Sequence, residues 1–420
     1  MYAGACSDKL TLENIDATSK IKGIGIIGTG DFTHPEWFKQ MKSLLVPQGN
    51  GLFRVKGSKT GVNFMVSGEV CTIYSKTKGG KAGMFDKTGN VAKIHHGMLL
   101  PDLESAEQIS AALAKFGSLS MDGRPQLSMR SSELVEIVMG VSKKAFVFPA
   151  HAWTPWFGAL GSMGGFDSLE ETYEDQVKHI YALETGLSSD PEMNWRVSKL
   201  DRFALISGGD AHSLPKLGRE GTVLELDEKK LSYDAVVGAI REKKIKSTIE
   251  FYPEEGKYHF DGHRNCHVSL SPEEAAKYNN ICPVCRKKLT LGVLNRVQKL
   301  ADREPGYVLK GAPPFVHVIP LDEVIAFVSK KGVQTLYVRE TYDRLIEKFG
   351  TELNVLLKAN TDNIAEVDKQ LAAAIENVRD ERVNIKPGYD GVFGIIDILN
   401  EAGLPKQAAS GHAQRTIGSF

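Results

Sequence analysis

Residues 203–213 read FALISGGDAHS, an apolar run followed by a polar turn. Phe203, Ala204, Leu205 and Ile206 form an apolar run of buried-strand length, and Ser207-Gly208-Gly209 ends it in a turn. Asp210 and His212 come next. On extended backbone, residues two apart point the same way, so a carboxylate and an imidazole at this spacing can grip one divalent metal at a strand's carboxyl end. A lone D-x-H is a common polar turn. Here it has company, because His34, Glu69, His95 or His96, His151 and Glu184 each lie in or just after an apolar run upstream.

Working back from that stretch, helix and strand patterns alternate. A helix from Thr11-Leu12-Glu13-Asn14 to about Lys22 precedes the strand GIGIIG; Asp31 and His34 then occupy a loop before the helix PEWFKQMKSLL. Gly23, Gly25 and Gly28 match G-x-G-x-x-G only formally, since they sit inside the apolar run rather than opening a helix, and a dinucleotide site is rejected. In NFMVSGEVCTIYSK, Glu69 stands mid-strand in apolar company, where a bare carboxylate is costly and a partner or cation is required. His95 and His96 face opposite sides of VAKIHHGMLLP, so one of the two reaches a shared site, and the residues alone leave open which. AFVFPAHAW gives a buried strand that ends at His151, with Trp153, Pro155, Trp156 and Phe157 crowding the next loop as a packed rim or a stacking platform for a base. A helix over 169–179 and a strand closed by Glu184 lead to 203–213. Polar residues gathering at strand ends in an α/β alternation suit a β/α barrel, whose chemistry lies at the carboxyl face.

Composition bounds the rest. The 420 residues suffice for two or three domains, and 52 basic against 52 acidic side chains leave net charge silent about nucleic acid. Five unevenly spaced cysteines do not make a disulfide framework, which fits a reducing cytoplasm. No apolar run approaches the roughly 18 residues of a bilayer span, and no leader pattern opens the chain, so a soluble protein with no membrane partner is expected.

Past Ile249-Glu250-Phe251 the character changes. His263 and Cys266, then Cys282 and Cys285, form H-x2-C and C-x2-C knuckles with fifteen residues between them, the spacing of a closed tetrahedral zinc site of structural kind. His267 is a weaker substitute for His263. Arg264, Arg286, Lys287 and Lys288 surround the knuckles and could contact phosphate. From 289 onward TLGVLNRVQKLADR, LDEVIAFVSKK, TYDRLIEKFG and IAEVDKQLAAAIENVRDERV carry helical spacing. Gly388, Tyr389 and Gly391 belong to the loop PGYDG, which can approach a backbone phosphate or a flipped base. No G-x-x-x-x-G-K-[ST] occurs, so no nucleotide triphosphate is expected. In the tail, Gln414, Ile417 and Phe420 match a sliding-clamp (PCNA) box short of its last aromatic.

Gathered together, GTGDFTH, SGE, the His95-His96 pair, PAHAW and GGDAH resemble the polymerase and histidinol phosphatase (PHP) superfamily of metal-dependent phosphoesterases over roughly residues 1–255. FTHPEWF, ETGLSSDPEMNWR, the cysteine segment and KPGYDGVFG are similar to the archaeal endonuclease Q family over nearly the whole chain. The resemblance implies a PHP-type β/α barrel (1–255), a zinc module (256–292), a helical DNA-binding domain (293–404) and a flexible tail (405–420). It implies Zn, Mg or Mn held by His34, Glu69, one of His95 and His96, His151, Asp210 and His212, with Asp31 and Glu184 in the same pocket. It implies cleavage 5′ of hypoxanthine, uracil or an abasic site in damaged DNA. The superfamily's first motif, a strand closed by H-x-H, is expected just before YAGACS and is absent from the sequence, so the first barrel strand is missing or truncated. An inactive DNA-binding scaffold is the alternative raised by that absence, and a small-molecule phosphatase is a further one.

Overall fold

A computed structural model of the chain describes residues 6–76 and 90–399. Helix Leu12–Lys22 begins where the sequence places it, with the Thr11 hydroxyl accepting from the Asn14 N–H, and ends at a left-handed Gly23. Strand β1 (Ile26–Gly28) comes next, then helix Pro35–Leu44, whose leading proline has no N–H to satisfy. Strands β2 (Leu45–Pro47), β3 (Phe53–Val55), β4 (Asn63–Ser75), β5 (Val91–Leu100), β6 (Gln126–Leu127) and β7 (Phe146–Pro149) join β1 in one seven-stranded sheet.

That sheet is mixed. β1 and β6 run parallel to β4, whereas β4 and β5 pair antiparallel from Val66 opposite Leu100 to Ser75 opposite Val91, and β7 continues antiparallel beside β5. The regular alternation expected of a β/α barrel is therefore interrupted here, because two long apolar strands pair directly with each other. Parallel pairing resumes with β8 (Ala182–Glu184) and β9 (Ala204–Ile206), linked to β7 by a parallel bridge between Val147 and Ile180. The helix expected over 169–179 is α-helical only for Leu169–Tyr173; Glu174, at φ 52°, turns it into a 3-10 segment. β10 (Gly221–Leu224) pairs antiparallel with β11 (Ile245–Glu250), and β12 (Asp261–His263) with β13 (Val268–Leu270). β14 (Phe315–His317) adds in parallel to β11, and β15 (Asn384–Lys386) pairs antiparallel with β16 (Ile395–Asp397).

One apolar core, with Phe64, Tyr74, Ile94, Met98, Leu134, Trp153 and Tyr173, fills the space between the large sheet and its helices. Val293 and Val297 belong to it. Helix Val293–Leu300 thus packs on this core, apart from the helical domain expected over 293–404, and Arg296 secures it by donating to the Leu160 and Phe166 carbonyls at 2.8 Å each. A second core forms where helices Leu321–Ser329, Leu336–Phe349, Glu352–Leu357 and Lys369–Arg379 converge on Val324, Val338, Leu345 and Ile375. No helix among the described residues is long and apolar enough to cross a membrane.

Two buried polar ties join these parts. Lys22 Nζ lies 2.6 Å from Glu352 Oε2, which also accepts from the Tyr342 hydroxyl. His317 stacks on Tyr252, with Nε2 3.6 Å from Asp190 Oδ2 and Nδ1 3.2 Å from Glu381 Oε1. Burial would lower the His317 pKa, but those two carboxylates outweigh it and lift it to about 10. A histidine raised above its unfolded value contributes stability that is complete below that value, 6.5, and is lost as pH rises through the folded one. Denaturation at about pH 6 and about pH 10.5 is expected to show that loss, whereas His317→Asn is less stable by roughly 3 kcal/mol at the lower pH and lacks this component of the pH response. The same pH response in both proteins would contradict the tie.

Candidate active site

The register of β4 on β5 builds the first half of the site. Glu69 lies opposite Gly97 and Cys71 opposite His95, so alternation puts Glu69, Cys71 and His95 on one face of the sheet. His95 Nδ1 approaches Glu69 Oε1 at 2.8 Å. Val70 lies opposite His96, on the other face. There His96 Nε2 meets Thr72 Oγ1 at 2.9 Å and Nδ1 meets the Tyr173 hydroxyl at 2.9 Å, with burial lowering its pKa to about 3. Of the neighbouring pair, His95 reaches the cluster and His96 is a satisfied core residue.

His151 completes the group from beyond β7. Its backbone leaves the pleat at φ 32°, and its Nε2 reaches His95 Nδ1 at 2.9 Å and Glu69 Oε1 at 3.2 Å. Gly186, at φ 61°, lets the next loop pass, since a Cβ there would lie 2.6 Å from the His151 Cβ. Glu184 does not present a ligand atom to this group. Its Oε2 accepts from the His151 backbone N–H at 2.7 Å and so holds that turn in place. Among the described residues, Glu69, His95 and His151 form one of two sets whose ligand atoms all lie within 4.8 Å of one another. Around a cation with bonds of about 2.1 Å, neighbouring ligand atoms sit roughly 3 Å apart, so two imidazoles and a carboxylate at these separations fit a divalent metal.

Charge and burial act against each other in this group. Burial pushes the Glu69 carboxyl up, yet the facing His95 and His151 rings hold it well below the usual carboxylate range. Burial lowers His95 to about 4, while in His151 the hydrogen bond and charge of Glu69 overcome burial and raise it to about 9. Arg124, from the loop before β6, puts Nη1 3.5 Å from Glu69 Oε1 and adds positive charge to the face. Phe157 stacks on the His95 ring with centroids 4.6 Å apart. Trp153, unlike the half-buried Trp156 and Phe157, is wholly buried and donates to Asn194 Oδ1, so it is core rather than platform.

The remaining expected ligands are not part of this set. Asp31 and His34 are buried in the turn before helix Pro35–Leu44, His34 as its N-cap residue. Asp210 stands at φ 36°, so Asp210 and His212 lie on a turn and not on the extended backbone that the D-x-H spacing suggests. The His212 ring is held locally, Nδ1 donating to the Asp210 carbonyl at 2.8 Å. Burial and then the Glu69 charge push the Asp210 carboxyl up, which places it within electrostatic reach of the cluster. Behind the site lie acids that the sequence reading passes over. Glu250 accepts from the Thr185 hydroxyl at 2.8 Å and burial raises it to about 7; both Glu220 oxygens are buried without a hydrogen-bond partner, and burial pushes that carboxyl well up. Glu250 closes a strand as Glu184 does, but that strand, IKSTIE, is mostly polar and gives only a weak signal; Glu220 and Arg124 carry none.

The second set is His263, Cys266, Cys282 and Cys285. β12 and β13 present the first pair and an Ile281 to Lys288 bridge closes the turn of the second, with Cys285 Sγ 3.4 Å from His263 Nδ1. His263 rather than His267 joins the set, and His267 stands at φ 52° just after the 3-10 turn that carries Cys266. Four N/S donors with no oxygen ligand suit zinc. Asp390 fastens PGYDG to this module, accepting from the Arg264 N–H and the Thr290 hydroxyl at 2.7 Å each. Arg264, Lys287, Gly388, Tyr389 and Gly391 thus lie on or beside one module. Gln414, Ile417 and Phe420 fall outside the described residues.

Among known families, a model of the MJ0043 C-terminal domain matches residues 320–382. The MJ0043 protein of Methanocaldococcus jannaschii is 32% identical over 251 residues, 59% of this chain, and the chain spans only 31% of that protein's length. The YqxK protein of Bacillus subtilis is 28% identical over 399 residues, 92% of each chain. Among solved structures, the lesion-specific endonuclease PfuEndoQ of Pyrococcus furiosus superposes with a TM-score of 0.81 at 29% identity, covering 94% of this chain and 92% of that one. An endonuclease Q in complex with a 27-mer duplex carrying an abasic lesion at its active site gives 0.81 at 28% identity, covering 98% and 97%.

Proposed function

We propose, from the premise that this chain shares the fold of endonuclease Q over nearly its whole length, that it is a metal-dependent DNA repair endonuclease. It hydrolyses the phosphodiester 5′ of a deaminated base, hypoxanthine or uracil, or of an abasic site. The observation that carries this reading is the convergence of Glu69, His95 and His151, with separations of 2.8 to 3.2 Å, on the fold of a lesion-specific nuclease. The chemistry that a bound Zn, Mg or Mn ion supplies there is Lewis acidity toward a phosphate oxygen and a lowered pKa for water.

The chain's own residues do the rest. Glu184 fixes the His151 turn through its backbone N–H, and Phe157 backs the His95 ring. Arg124 turns its charge toward the face where a scissile phosphate would lie, and Asp31, His34, Asp210 and His212 complete the pocket wall of a PHP-type barrel, 1–255. In the zinc module, 256–292, Arg264 and Lys287 contact backbone phosphates, while Gly388, Tyr389 and Gly391 bring main chain close to the displaced nucleotide; the helices of 293–404 support both.

A nicking assay tests the reading. Protein loaded with Mg or Mn is incubated with duplexes that contain inosine, uracil, an abasic site or no lesion. Single cuts 5′ of each lesion, with the undamaged duplex spared, are expected. Equal cutting of all four, or hydrolysis of phosphomonoesters alone, would overturn it.

A further inference from the structure

Residues 392–395 make an exposed apolar tip. Val392, Phe393 and Ile395 are 39%, 63% and 58% exposed. Single exposed hydrophobics need no explanation, but three within four positions on a rigid support do. The support is well defined. Tyr389 and Val392 exchange backbone hydrogen bonds of 3.0 and 2.7 Å across Asp390 and Gly391, whose φ values of 42° and 87° make the tight turn favoured in hairpins. Asp390 pins that turn to the zinc module, and the Gly388 and Gly394 N–H groups donate to Glu254 and Glu255 at 2.8 and 3.0 Å. Gly394 has no room for a side chain, since a Cβ there would lie 2.2 Å from the Glu254 carbonyl oxygen. Phe393 is thus held between two fixed points with its ring outward.

A run of contacts leads from the turn at the tip toward the group of Glu69, His95 and His151. A Cβ on Gly391 would meet Arg264 Nη1 at 3.3 Å and the Tyr258 hydroxyl at 3.8 Å; Tyr258 sits edge-on to Trp156 at 4.8 Å; and the adjacent Phe157 stacks on His95. Three cations border the tip, alongside the acids Glu254, Glu255 and Asp390. Lys257 Nζ lies 5.1 Å from the Phe393 ring, Arg264 borders the turn, and Lys386 is exposed at the foot of the hairpin. An apolar ring flanked by cations matches a base stack flanked by phosphates.

We propose that Phe393, backed by Val392, is a wedge that enters the base stack of duplex DNA beside the lesion as the target nucleotide leaves it. The inference rests on the nuclease reading and adds the residue that opens the duplex. The gap left by an extruded nucleotide costs stacking energy, and an aromatic ring recovers part of it. Single-stranded DNA has no such gap to hold open.

The test compares wild type, Phe393→Ala and Phe393→Trp on an inosine duplex and on the same strand unpaired. Phe393→Ala is expected to nick the duplex about tenfold more slowly and the single strand within about twofold of wild type, with Phe393→Trp restoring the duplex rate. Equal losses on both substrates, or none on either, would overturn the wedge; the latter would make the tip a surface for a protein partner. A wild-type protein that nicks neither substrate sinks the nuclease reading, and 2-aminopurine placed next to an abasic site then decides the wedge alone. Its fluorescence should change on binding wild type and not on binding Phe393→Ala, and equal changes would overturn the proposal.

Discussion

Glu69→Gln is expected to lower nicking of a lesion-bearing duplex by on the order of a thousandfold while leaving the fold intact. The amide keeps the size of the side chain and removes the charge that His95 and His151 converge on at 2.8 and 3.2 Å. Without it, two imidazoles 2.9 Å apart are a weak site for a hard divalent cation, and Arg124 loses its anionic neighbour. Single-turnover rates on the inosine duplex measure the effect, with thermal unfolding as the control. His96→Gln serves as the opposite case. Its ring is bonded to Thr72 and Tyr173 in the core, so that variant is expected to lose roughly 1–3 kcal/mol of stability and none of its rate per folded molecule. A Glu69→Gln protein within about tenfold of wild type would remove the cluster from the mechanism.

Cys282→Ser is expected to release one zinc per chain and to loosen the module that carries it. Cys282 is fully buried, and the small core around it consists of Val268, Leu270, Ala275 and Leu289 with the cysteines themselves, too little apolar surface to hold the segment alone. Structural zinc contributes about 10–16 kcal/mol of binding free energy that becomes folding free energy. The effect spreads to the PGYDG hairpin because Asp390 is anchored to Arg264 and Thr290, both on this module. Hydrogen exchange is expected to speed up in both segments and to stay slow in the large sheet, whose core includes no zinc ligand. Zinc retained by the variant, or unchanged exchange across 261–290, would contradict the assignment.

The parts legible in the sequence are those set by local chemistry. Thr11 marks the first helix, Glu69 stands out as a carboxylate inside an apolar strand, and the H-x2-C and C-x2-C spacing gives the four donors that meet. Residues whose role depends on register or on unusual backbone are not legible. The choice between His95 and His96 turns on whether Cys71 or Val70 lies opposite, which the pairing of β4 and β5 decides and periodicity cannot. His151 and Asp210 sit at positive φ, so the alternation rule that sets a strand's side chains does not apply to them. Arg124 comes from a loop with no pattern of its own. The even helix and strand alternation fails at β4 because a strand pair, once long and apolar enough, packs without a helix between. Helix Val293–Leu300 shows the same limit, since an amphipathic pattern says that a face is buried and not against which core.

Anomalous scattering from crystals of the full chain soaked in manganese tests whether Glu69, His95 and His151 hold a divalent cation. A peak in bonding contact with Glu69 Oε1 and one ring nitrogen each of His95 and His151 is the expected result, and it should vanish in Glu69→Gln. Manganese at other sites with nothing between these three side chains would contradict the account.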